Sequence, residues 1–172
     1  METIKQFIKE SSATIGQLLI ASQKTMSAAE SCTGGMISAS ITGVAGSSAY
    51  YLGSVTSYAV SVKENVLHVP AETINKYGVV SEETAASMAK GILEITGSDY
   101  AVSTTGIAGP GGAEPNHPVG TVCIGIASQK NGKVSTKAYT ILHEGDRSAN
   151  ILYFTAAALD KLCNEIKNNV TI

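Results

Sequence analysis

Residues 25–44 read TMSAAESCTGGMISASITGV, and the succession of residue types in them decides the fold. TMSAAE is short, small and apolar and predicts a buried strand ending at Glu30. Three small polar residues and two glycines follow, Ser31 to Gly35. GGMISASITGV then carries apolar residues at helical spacing, which predicts a helix with Ser31 or Thr33 as its N-cap. A strand running straight into a helix is the unit from which alternating α/β folds are built.

The same alternation extends outward in both directions. Upstream, Ile4, Phe7, Ile8, Ile15, Leu18 and Leu19 recur at helical spacing and predict an opening amphipathic helix. Downstream, YYLGSVTSYA alternates and is rich in Tyr, Val and Thr, so it reads as a strand. SVKENVLHV reads as one or two helical turns closed by Pro70, and AETINKYG as a short helix stopped by Gly78. SEETAASMAKGILEITG opens with a serine followed by acids, a helix N-terminal signature. SDYAVSTTGIAG is a buried strand entering a glycine loop. GTVCIGIAS and KVSTKAYTILH are two strands joined through an Asn-Gly turn, and GDRSANILYFTAAALDKLCNEIKN is a long closing helix. The order predicts one domain over residues 1–172: a three-layer α/β/α sandwich around a mixed, mostly parallel sheet with a C-terminal antiparallel hairpin. In such sheets ligands gather at the carboxyl ends of strands, where both glycine-rich segments, 31–35 and 106–112, are expected.

Bulk properties exclude several classes. With 44% hydrophobic and 15% charged residues the chain has the composition of a folded globular domain. A net charge of -2 and the absence of Trp give no footing for nucleic acid or an anionic membrane. Charges interrupt the apolar pattern of the first 24 residues, which argues against a signal peptide or membrane span. Cys32, Cys123 and Cys163 are scattered and form no CxxC pair, so neither a metal nor a disulfide framework is expected, and a cytoplasmic location fits best.

The candidate chemistry lies at the loops. Ser31 sits between a strand and a helix, where a hydroxyl can act as a nucleophile or simply cap the helix. Cys32 is the rival nucleophile, or a small buried hydrophobe. Gly34 and Gly35 permit close approach to the backbone. A serine needs a base, and His68, His117 and His143 stand in no triad context; His117, in the second glycine loop, is the one best placed to meet a ligand. The alternative base is Lys63, five residues after Tyr58 and read as the start of the next helix. There the positive end of the helix dipole, together with burial, would lower its pKa. Tyr58 would relay a proton or pack as a strand aromatic. Thr104 and Thr105 mark the strand end before the long loop TTGIAGPGGAEPNHPVGT, which is neither a P-loop nor a dinucleotide fingerprint. Arg147, in the first turn of the last helix, opposes the dipole and is suited to grip a phosphate or carboxylate.

AESCTGG, GVVSEETAASMAKG, TTGIAGPGG with the following PVGTV, and GDR together resemble the CinA C-terminal domain family in order and spacing over nearly the whole chain. The resemblance implies a nicotinamide-nucleotide amidase, which converts nicotinamide mononucleotide to nicotinate mononucleotide and ammonia in NAD salvage without metal or other cofactor. It implies Ser31 as nucleophile and Lys63 as base, with Tyr58 beside them. The oxyanion would rest on amides of Thr33, Gly34 and Gly35 with Thr105 and Gly106, and the substrate phosphate on a glycine loop or Arg147. The family often has YSNEAK where this chain has YAVSVK, so Val60 stands in place of an asparagine. Many relatives carry a further N-terminal domain, and this chain reads as the stand-alone form. Its expected partners are a small nucleotide substrate and further copies of itself in a homo-oligomer, with neither nucleic acid nor membrane. A non-catalytic nucleotide-binding module and a competence- or DNA-damage-associated interaction domain are the alternatives.

Overall fold

The computed structural model describes residues 1–169. Among these residues six α-helices and five strands follow one another in the expected order, with a single 3-10 turn at Ser47–Ala49. Helix α1 (Glu2–Ser22) leads into strand β1 (Met26–Glu30), helix α2 (Met36–Thr42) and strand β2 (Tyr51–Thr56). Three helices come next, α3 (Val60–Asn65), α4 (Ala71–Tyr77) and α5 (Glu82–Thr96). Strand β3 (Tyr100–Gly106) precedes the hairpin of β4 (Thr121–Lys130) and β5 (Lys133–Leu142), and α6 (Arg147–Asn169) closes the fold.

The sheet runs β2-β1-β3-β4-β5. Strand β1 is parallel to both β2 and β3, and β4 is antiparallel to β3 and β5. The fold is thus the expected α/β sandwich on a mixed sheet. Asn131 and Gly132 alone separate β4 from β5, both with positive φ (52° and 74°), as a two-residue hairpin turn of matching twist requires.

Side-chain size divides the two faces. The larger residues of the central strands, Met26, Val102, Val122, Ile124 and Ile126, point toward α1, α2 and α6 and form the main core with Ile15, Leu19, Phe154, Leu159 and Leu162. The opposite face presents Ala29, Ala101 and Ala127 to α5, whose Met88, Ala89, Ile92 and Leu93 complete a second core. Small strand residues let α5 lie close. A Cβ at Gly125 would run into the Ala85 carbonyl, and Ser103 Oγ donates 2.6 Å to that same oxygen. Ser81 caps α5 by accepting from the Thr84 amide (3.1 Å), with Glu82 and Glu83 in the first turn, as its sequence predicts.

Ladder bonds continue one residue past the strand ends. Ser31 N donates to Thr104 O (3.0 Å) and Ser57 N to Glu30 O (2.8 Å). The exits of β1, β2 and β3 therefore lie side by side, and the residues just beyond them meet at one end of the sheet.

Candidate active site

A cavity of about 270 Å³ opens at that end. Ser31 and Cys32 line it from β1's exit, Tyr58 and Lys63 from β2's exit and α3, Thr105 to Gly109 with Gly111 and Gly112 from β3's exit, and Arg147 from α6. The two glycine segments expected to face one cleft thus contribute unequally: the second walls the cavity, whereas Gly34 and Gly35 are absent from its lining.

Lys63 is fully buried, and its Nζ lies 3.0 Å from Ser31 Oγ and 2.6 Å from Ser57 O. It forms no ion pair among the described residues. Burial pulls its pKa below the ordinary 10.5. Two causes were expected, burial and the positive end of a helix dipole; the first holds and the structure corrects the second. Helix α3 starts at Val60, so Lys63 falls in its last turn rather than its first. Desolvation, not the dipole, disfavours the ammonium. Nζ donates to both oxygens, and an amine that has lost its proton keeps an N–H for Ser57 O and can turn its lone pair to the Ser31 hydroxyl.

Cys32 lies beside Ser31, but burial pushes its thiol up to about 12. A thiol that keeps its proton fits the reading of Cys32 as a buried small hydrophobe.

The turn after β1 is organised by a residue that local pattern did not single out. The Glu30 carboxylate is fully buried and accepts five hydrogen bonds, from Thr33 Oγ1, Gly35 N and Ile37 N at one oxygen and from Ser38 N and Oγ at the other, at 2.6–3.0 Å. Neither Ser31 nor Thr33 caps α2, whose N-cap position is Gly35 at φ 102°. Glu30 reaches back over the turn and satisfies those amides instead. The expected oxyanion donors change accordingly. Gly34 N is bonded to Ser31 O (3.1 Å), Gly35 N to Glu30, and Cys32 N to its own thiol, while Thr33 N donates to no backbone carbonyl among the described residues. Thr33 Oγ1 also lies 2.8 Å from Thr104 Oγ1, beneath the site rather than in it.

The other expected residues sit as follows. Thr105 lines the cavity, with its hydroxyl donating to Val79 O (2.8 Å). Gly106 also lines it, where a Cβ would press on the Thr121 carbonyl of the neighbouring strand. Arg147 donates through Nη1 to Gly109 O (2.6 Å) and through Nη2 to the Tyr58 hydroxyl (3.1 Å). Tyr58 is 63% exposed and makes no hydrogen bond to Ser31 or Lys63, so no proton relay through it is built into the resting site. His117 turns back toward Glu114 (3.4 Å) and lies outside the lining, and His143 stacks on Tyr153 with ring centroids 4.1 Å apart. Glu30 was detectable in principle, as an acid at a strand end followed by donors at Thr33 and Ser38; Ser57, whose carbonyl accepts from Lys63, left no local signal.

Among the described residues no helix is long and apolar enough to cross a membrane. The CinA C-terminal domain family matches residues 8–166. A CinA-like protein of Chlorobium phaeobacteroides is 44% identical over 156 residues, covering 90% of this chain and 37% of its own length. A CinA-like protein of Chlorobaculum tepidum is 46% identical over 151 residues, covering 87% and 36%. The chain therefore spans about a third of the length of these curated relatives. Among solved structures, a CinA superfamily protein of Klebsiella pneumoniae superposes with a TM-score of 0.85 at 32% identity, covering 94% of this chain and 98% of that one. A competence/damage inducible protein of Agrobacterium tumefaciens superposes with a TM-score of 0.86 at 34% identity, covering 94% and 96%. On the family match and these identities, the chain belongs to the CinA C-terminal domain family.

Proposed function

We propose that this chain is an amidohydrolase that converts nicotinamide mononucleotide to nicotinate mononucleotide and ammonia through an acyl-enzyme on Ser31. One observation carries the reading: a fully buried lysine amine with no acidic partner among the described residues lies 3.0 Å from a serine hydroxyl on a cavity wall. A solvated surface lysine needs no such seat, and a nucleotide-binding module gains nothing from one. A nucleophile requires it.

The chemistry follows from the donors and acceptors present. Neutral Lys63 takes the Ser31 proton as Oγ bonds to the carboxamide carbon. The oxygen, now negative, accepts from backbone amides of the turn that follows Ser31, where Thr33 N meets no backbone carbonyl among the described residues. The Lys63 ammonium returns its proton to the departing nitrogen, the C–N bond breaks, and ammonia leaves. Water then attacks the ester, again losing its proton to Lys63, and Ser31 regains its hydrogen as the acid departs. Arg147, with Tyr58 bonded to it at the cavity wall, is the cation available to the substrate phosphate. The substrate reaction lies in NAD salvage and draws on no cofactor.

The test is ammonia release from nicotinamide mononucleotide by the wild type, Ser31→Ala and Lys63→Met. The expected result is turnover by the wild type and a loss of at least about 1,000-fold in each variant. Equal turnover by Ser31→Ala would end the mechanism. A wild type that binds the nucleotide without hydrolysing it would favour the binding-module reading.

A further inference from the structure

Asn150, one turn after Arg147 in α6, is fully buried and spends its hydrogen-bonding groups on one junction. Its Nδ2 donates to Ala108 O (3.0 Å) and Gly145 O (2.9 Å). Two carbonyl acceptors fix the amide's orientation, so Oδ1 faces His143 Nδ1 (2.8 Å) and that ring nitrogen carries the hydrogen. The His143 ring is held in turn by its stack on Tyr153. Its backbone N–H donates to Gly120 O, whose own N–H donates to Ile107 O (3.0 and 2.8 Å). Both ends of the loop that walls the cavity are thereby tied to α6, while Arg147 holds the next peptide through Gly109 O.

We propose that Asn150, seated by His143, is a positioning residue: it fixes the cavity wall at residues 107–109, and with it Arg147, relative to Ser31. Substrate would contact the wall, never Asn150 itself. Losing the tie loosens the wall without touching the Ser31–Lys63 pair. Weaker substrate binding should result, with the chemical step preserved.

Asn150→Asp tests this, because an aspartate has no N–H for Ala108 O and Gly145 O. His143→Phe is the second variant; it keeps a ring against Tyr153 and leaves only Oδ1 unpaired. In hydrogen exchange followed by mass spectrometry, peptides spanning 105–121 should exchange at least about 10-fold faster in Asn150→Asp, with β1 and α5 unchanged. His143→Phe should show a smaller effect in the same place, and the double variant should be no worse than Asn150→Asp within about two-fold. The kinetic arm rests on the amidase reading: KM for nicotinamide mononucleotide should rise at least about 10-fold with kcat within about three-fold. Acylation of Ser31 by p-nitrophenyl acetate, too small to need the wall, should keep its rate. Exchange raised uniformly across the chain, or kcat lost with KM unchanged, would overturn the proposal. If the wild type releases no ammonia, the amidase reading fails and the exchange comparison alone decides; if Asn150→Asp does not fold, His143→Phe decides.

Discussion

Replacing Lys63 by methionine tests the electrostatics on which the chemistry depends, through stability rather than turnover. The side chain is fully buried without an acidic partner among the described residues, and burial lowers its pKa from 10.5. In the unfolded chain the amine keeps its proton up to the ordinary value; in the folded chain it releases it earlier. Between those two values unfolding takes up a proton, so the wild type gains stability as pH rises, by up to about 1.4 kcal/mol per pH unit for one such group. Below the lowered value, and above 10.5, the contribution is flat. Methionine fills a similar volume and cannot titrate, so Lys63→Met should lack this slope. Urea unfolding of both proteins at pH 7, 8 and 9 gives the comparison, read as the difference in unfolding free energy at each pH. The difference cancels groups common to both that do not feel Lys63, including Cys123 and Cys163, whose burial raises their pKa and opposes stability above their ordinary 9.0; Cys32, raised to about 12 beside Lys63, stays protonated over this range. The expected outcome is a gap that shifts in favour of the wild type as pH rises. A constant gap, or one shifting the other way, would mean that Lys63 stays charged in the folded protein, and its role as a base would fall.

Glu30→Gln should cost about 3–4 kcal/mol in the same assay. One carboxylate oxygen becomes an NH₂ facing the Ser38 amide, and the remaining charge-assisted bonds become neutral ones, each weaker by roughly 1 kcal/mol; a loss under about 1 kcal/mol would show that the turn holds itself. Cys32, with its thiol raised to about 12, should resist iodoacetamide at pH 8 in the folded protein, and Cys32→Ala should keep turnover within about three-fold of wild type. Rapid native alkylation at Cys32, followed by peptide mapping, would contradict that assignment.

The order of elements was legible because each one repeats its own signal: apolar residues at helical spacing in α1, an Ala-rich strand at β1, a serine with two acids at α5, Asn-Gly between β4 and β5. The candidate cavity was legible in part, where polar residues and glycines follow strands or open the last helix, while Thr33, Gly34 and Gly35 stay outside its lining. Ser31, Tyr58, Lys63, Thr105, Gly106 and Arg147 all reach one cavity. What sequence misjudged are features that long-range packing decides. A six-residue helix such as α3 takes its limits from its neighbours; it starts one residue earlier than expected and stops at Asn65, four residues short, which puts Lys63 in its last turn. SVKEN has the composition of a solvated turn, and only the β1, β2 and β3 exits meeting around it exclude water from that amine. The same holds for the caps. Local rules assign an N-terminus to the nearest hydroxyl, Ser31 or Thr33, yet a carboxylate at the end of a buried strand satisfies three amides of that turn at once. By taking those amides, Glu30 relieves Ser31 of the capping duty that sequence alone could not separate from nucleophilic attack. The hydroxyl of Ser31 is bonded to Lys63 and to no helix amide among the described residues. A serine released from structural work and paired with a buried amine is disposed for chemistry, and here the residue beside it in the chain makes that release possible.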